Sequence, residues 1–194
     1  KLIETDYKVS KLRYAFVLAF PVIAALPSFI TSGYPAGIDT PAHLFKPQLM
    51  AQMLESHGRI FRWTGQWYNG YPFMAIYPPI ANIFVMALKM VTGSLGQSYN
   101  LVRLAALALT AGAFYRLSGR ISEDLRVRTL ASAFVVFSNP LYSNLYTVGR
   151  IASALAIPFY FYIIDLALRD NVFQEKVSRN HVYIGLAAAL LFLT

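Results

Sequence analysis

An all-α, polytopic membrane fold is what this sequence predicts, and three observations carry the prediction. Hydrophobic residues make up 57% of the chain and charged ones only 13%, where a soluble domain carries roughly a quarter charged. Apolar runs approaching the roughly 20 residues that a helix needs to cross a hydrocarbon layer recur along the chain. Helices satisfy their own backbone in such a layer. The 17 Lys and Arg outnumber the 9 Asp and Glu, and the basic residues gather in short stretches between the apolar runs. That is a topology signal, not the footprint of a nucleic-acid binder. Cysteine is absent, which excludes disulfide frameworks, thiolate metal sites and cysteine nucleophiles together.

The first span is read at residues 13–31, RYAFVLAFPVIAALPSFIT, which has no charge after its leading arginine. Because no small-residue cleavage site leads into a soluble domain, it reads as an anchor and not as a removable signal. Further spans are expected at 99–116, at 129–142 with a break at Asn139-Pro140, at 151–168, and from 181 to 194. The last run covers only about 20 Å of a layer about 30 Å thick. Residues 1–194 are therefore expected to be one transmembrane module, the N-terminal part of a longer chain. Residues 77–92, YPPIANIFVMALKMVT, are apolar enough to cross. Crossing, however, would put Arg116, Arg120, Arg126 and Arg128 on the opposite side from Lys1, Lys8, Lys11 and Arg13. An interfacial helix instead keeps all basic clusters, and the N-terminus, on the cytoplasmic side, with Lys89 snorkelling.

This topology leaves one large external loop, 32–98, in which Asp39 and Glu55 are the only acidic residues. Asp39 precedes Thr40-Pro41, a helix start, so Asp39 and His43 stack one turn apart on one face. Two roles are open for them. Asp39 caps the helix with His43 packed beneath, or the pair serves as general acid and base or holds a divalent ion. Downstream, HGRIFRWTGQWYNGYPFMAIYPP crowds Trp63, Trp67, Tyr71 and Tyr77 around helix-breaking Gly and Pro. Such rings fit a membrane-interface belt, and equally a platform for sugar rings or a lipid headgroup, with Lys46, Arg59 and Arg62 available to phosphate. Arg150, in YTVGRIASAL, is a further phosphate candidate. Arg103 reads as a snorkelling residue, and Asp165 with Arg169 as a structural pair one turn apart.

Taken together, the external Asp-x-x-x-His helix, W-x-x-G-Y-P at Trp67–Pro72, Y-P-P at Tyr77–Pro79, the basic inner loop, the Asn139-Pro140 break and Gly149-Arg150 ahead of another span resemble the multispanning glycosyltransferases of the GT-C superfamily. The chain looks most like the archaeal and bacterial membrane proteins named for a relation to 6-pyruvoyl-tetrahydropterin synthase. The resemblance covers roughly residues 13–170. It implies a cell-membrane transferase that moves a sugar from a polyprenyl-phosphate carrier to an acceptor at the external face. It also implies that Asp39 is catalytic or holds a divalent metal such as Mg or Mn, with His43 as second ligand or proton carrier. The sequence departs from that pattern where Ile151, Ala152 and Ser153 follow Arg150 in place of the acidic residue often found there, which counts against a two-carboxylate metal site. A non-catalytic membrane subunit that binds lipid or a partner protein is the alternative. A transporter fits less well, since charge inside the spans is sparse.

Overall fold

The computed structural model describes residues 2–30, 36–60, 63–65, 70–73, 79–169 and 179–193, with main chain only for 2–15, 71, 169, 179–180 and 191–193. It is nearly all helix: α1 (Leu2–Ile30), α2 (Thr40–His57), α3 (Ile80–Thr92), α4 (Leu95–Ser118), α5 (Leu125–Val136), the single turn α6 (Asn139–Tyr142), a π-helical turn over Ser143–Val148, α7 (Ile151–Arg169) and α8 (Arg179–Leu193). Between α2 and α3, a two-residue antiparallel pair joins β1 (Trp63–Thr64) to β2 (Tyr71–Pro72), with Trp63 opposite Pro72 and Thr64 opposite Tyr71.

Local chemistry sets the helix ends. Ser94 caps α4 by accepting a hydrogen bond from the Gln97 amide at 3.3 Å, which starts the helix four residues before the apolar run. Gly58 and Gly93 close α2 and α3 in the left-handed conformation, donating to the Leu54 and Lys89 carbonyls. Asp124 caps α5 through the Arg126 amide at 2.8 Å. The expected span at 129–142 is not one helix. Pro140 opens α6 instead of continuing α5, which leaves α5 with 12 residues, about 18 Å. The run at 77–92 becomes α3, 13 residues long and about 20 Å, shorter than a hydrocarbon layer.

The central element is α4, which packs on α1, α3, α5 and α7. Its buried face carries Tyr99, Val102, Ala106, Leu107 and Ala111 against Val17, Val85, Leu145, Ile151 and Ala154. A satellite cluster of Leu49, Met50, Met53, Phe73 and Met86 joins α2 to α3. Among the described residues, α4 and the Ile151–Leu168 part of α7 are long and apolar enough to cross a membrane, while the apolar stretches of α1, α3 and α8 are shorter.

Besides the apolar core, many large apolar side chains are exposed and several polar ones are buried. Phe16, Ile23, Phe134, Leu168 and Leu186 face outward, whereas Ser98, Asn100, Arg103, Thr110, Ser132 and Asp165 are buried. Two of the buried groups find partners across helices: Asn100 Nδ2 donates to the Ser28 carbonyl at 2.7 Å, and Ser132 Oγ to the Ala111 carbonyl at 2.7 Å. The expected Asp165–Arg169 pair lies outside the described residues, since the side chain of Arg169 does. The Asp165 carboxylate receives Arg120 Nε at 2.8 Å and Arg116 Nη2 at 3.2 Å, tying the far end of α4 to that of α7.

Candidate functional site

Two segments distant in sequence meet above the start of α4. The Ile38 amide donates to the Thr147 carbonyl at 3.2 Å and the Asp39 amide to the Val148 carbonyl at 2.7 Å. Glycine makes that approach possible. Gly149 has φ +82° and Gly37 has φ +139°, and a Cβ on either would fall on Thr40 Oγ1, so a side chain at these positions would be strained twice over. The π-helical turn supplies the register, since the Gly149 and Arg150 amides both reach back to the Asn144 carbonyl. Such insertions into helices recur at functional sites.

The result is an ion pair across the two segments. Arg150 Nε donates to Asp39 Oδ2 at 2.9 Å, with the two side chains 57% and 38% exposed. Asp39 occupies the N-cap position of α2, yet its side chain makes no capping hydrogen bond. Its carboxylate turns to the arginine, so the capping role is not the one it plays. Thr40 Oγ1 donates to the Ala36 carbonyl instead, at 3.1 Å.

Below the pair, α2 carries His43 and Lys46 at helical spacing from Asp39. The His43 amide donates to the Asp39 carbonyl at 3.1 Å, as the expected stacking requires. The ring is largely buried, and its Nδ1 has no hydrogen-bond partner among the described residues. Burial first, then the charges of Lys46 and Arg150, push His43 down to about 4 against the opposing pull of Asp39. It is therefore a neutral imidazole at neutral pH. Lys46 is buried, and that burial lowers its pKa while Asp39 raises it.

A cryptic layer lies underneath. Arg103 does not snorkel. It is 1% exposed, its Nη2 donates to the Ala36 carbonyl at 2.9 Å, and its guanidinium stands 4.8 Å from the Tyr99 ring centre and 4.9 Å from that of Tyr146. Cation–π contacts of this kind gain from desolvation. The Tyr99 hydroxyl donates to the Gly149 carbonyl at 2.6 Å, and that of Tyr146 to the Ala24 carbonyl at 3.2 Å. Arg103 thus holds the segment before Asp39, and Tyr99 holds the segment before Arg150. On the next face of α2, Gly37, Pro41, Leu44 and Phe45 with Leu95 of α4 line a mostly apolar cavity of about 380 Å³.

No family model, curated protein or solved structure matches this chain.

The remaining sequence-predicted residues fall into two groups. Arg59 and Trp63 lie beyond the opposite end of α2 from Asp39, a helix of 18 residues and about 27 Å, so they are not part of the Asp39 site. Arg62, Trp67 and Tyr77 lie outside the described residues, as does the side chain of Tyr71. A divalent ion finds a poor donor set. Among the described residues no three His, Asp or Glu side chains converge, and Asp39 already faces a guanidinium with a buried ammonium nearby. Two ligands of that kind do not fit Mg or Mn, which take several oxygens.

Proposed function

We propose that this chain is the transmembrane module of a membrane glycosyltransferase, with its N-terminus cytoplasmic, that transfers a sugar from a polyprenyl-phosphate donor to an acceptor at the external face. The observation that carries the reading is the Asp39–Arg150 pair: a half-exposed carboxylate beside a fork-shaped phosphate binder, built from two loops at one end of the α4 bundle. Phosphate recognition suits Arg150, whose planar guanidinium offers parallel donors. The apolar cavity beside Gly37 and Leu44 suits the hydrocarbon part of the carrier, and the outward-facing apolar side chains suit lipid surroundings.

The chemistry follows from those roles. Asp39 accepts the proton of the acceptor hydroxyl as the acceptor oxygen bonds to the anomeric carbon. The bond from that carbon to the phosphate oxygen breaks, and its electron pair stays on the phosphate. Arg150 then neutralises the added charge by contact, and buried Lys46 by its field. His43, neutral and beneath the carboxylate, keeps the pocket from gaining a further positive charge. No step requires a metal ion.

Reconstitution of the full chain into vesicles with a panel of radiolabelled polyprenyl-phosphate sugars and glycan acceptors tests this. Transfer of label out of the lipid fraction is expected with the wild type and not with Asp39→Asn. If the wild type inserts normally and moves no label from any donor, the chain is a lipid-binding membrane subunit instead.

A further inference from the structure

At the far end of α2, the side chains of Leu49, Gln52, Met53, Ser56 and His57 face Trp63, Thr64 and Gly65 of the β1 segment across a cavity of about 280 Å³. We propose that this cavity is a carbohydrate subsite that takes a neutral pyranose ring. The volume lies just below the usual range for drug-sized ligands, which suits one ring. Trp63 supplies a flat aromatic face on a residue that is 64% exposed, and the Gly70 backbone packs closely against its ring. Gly70, at φ +109°, lies so close that a Cβ there would stand 2.6 Å from Trp63 Nε1. An aromatic face held in this way packs against the C–H face of a sugar while polar neighbours meet its hydroxyls.

Those neighbours have defined directions. Ser56 Oγ donates to the Gln52 carbonyl at 2.6 Å, which uses its single proton. The 2.6 Å contact between Ser56 Oγ and His57 Nδ1 therefore has the histidine as donor. His57 Nδ1 then carries a proton. The exposed Gln52 amide offers both a donor and an acceptor. Among the described residues no Lys, Arg, Asp or Glu lines the cavity, and the polar groups that do line it suit an uncharged polyhydroxyl ligand. Because the helix between Asp39 and His57 is about 27 Å long, the transfer reading makes this ring a distal unit of an extended glycan acceptor. The ligand's role as acceptor rests on that reading; its binding does not.

Saturation-transfer NMR on the full chain in detergent, with the methyl α-glycosides of glucose, galactose, mannose and N-acetylglucosamine, tests the site. At least one glycoside is expected to show ring-proton saturation. Its affinity should fall at least tenfold in Trp63→Ala and in the exposed-face variant Gln52→Ala, and remain unchanged in Asp39→Asn. Absence of saturation for all four glycosides, or binding that survives both Trp63→Ala and Gln52→Ala, overturns the subsite. Glycoside binding that persists when Asp39→Asn has lost transfer separates this site from the reaction centre.

Discussion

The guanidinium of Arg150 meets the carboxylate of Asp39 at 2.9 Å although 111 positions separate them in sequence. Because both side chains are partly exposed, the pair itself adds only about 0–1 kcal/mol to stability. Its loss should therefore be read in activity more than in folding. Asp39→Asn is expected to lower transfer by roughly 10²–10⁴, the span of a general base, with little change in melting temperature. Arg150→Lys keeps the charge and loses the fork, so it should retain measurable transfer with a raised KM for the donor. A variant of either residue that unfolds the protein, or Asp39→Asn at wild-type rate, contradicts this assignment.

Sidedness can be tested separately from chemistry. Tyr99 lies beside Gly149 at one end of α4, while Arg116 at the other end holds Asp165, and the helical rise from position 99 to position 116 is about 25 Å. The arginine-rich end should face the cytoplasm. Since the chain has no cysteine, single cysteines at Gln97 and Ser122 can be labelled with an impermeant maleimide from outside intact cells. Strong labelling at position 97 and none at 122 is expected. Equal labelling at both would remove α4 as a crossing helix.

Much of the helical framework was legible because apolar runs and their breakers act locally. The α7 boundaries, the α5–α6 break at Asn139-Pro140 and the stacking of His43 under Asp39 all follow from neighbours within a few positions. What escaped depends on tertiary partners. Arg103 looked like a residue reaching for water, but the two tyrosine rings that make its burial tolerable come from its own helix and from the distant π-helical turn. Asp165 receives Arg116 from the last turn of α4 and Arg120 from the turn that follows it, 49 and 45 positions away. A sequence can show that Gly149 precedes Arg150. It cannot show that Thr40 lies where a side chain at 149 would go.

Tyr99 offers a test of the layer beneath the site. Its hydroxyl donates to the Gly149 carbonyl, which also accepts from the Ile151 amide at 3.1 Å, and the residue is fully buried. Tyr99→Phe removes the shorter of that carbonyl's two hydrogen bonds, which should cost about 0.5–1.5 kcal/mol. The Gly149-Arg150 segment should loosen as well. The expected signature is a lower melting temperature together with faster amide exchange at Asp39, whose own hydrogen bond goes to the Val148 carbonyl. Unchanged exchange at Asp39 would show that Arg103 and the glycine contact suffice to hold the two segments together.

The final prediction concerns acid. His43 is held down to about 4 by burial and by Lys46 and Arg150, whereas in the unfolded chain it titrates near 6.5. The folded protein thus refuses a proton that the unfolded chain accepts as pH falls below about 6.5. Stability attributable to His43 is complete above that value, is lost as pH falls through the window from about 6.5 to about 4, and levels off below it. The gap sets an upper bound of roughly 3 kcal/mol at about 1.4 kcal/mol per pH unit. Other groups titrate in acid too, so the informative quantity is the difference between the wild type and His43→Gln, which keeps a polar side chain of similar reach without the titration. Thermal melts of both proteins at closely spaced pH values should diverge only inside that window, with the wild type losing more. Parallel melting curves from pH 7 to pH 4 would mean that His43 is charged in the folded site and does not act as its neutral floor.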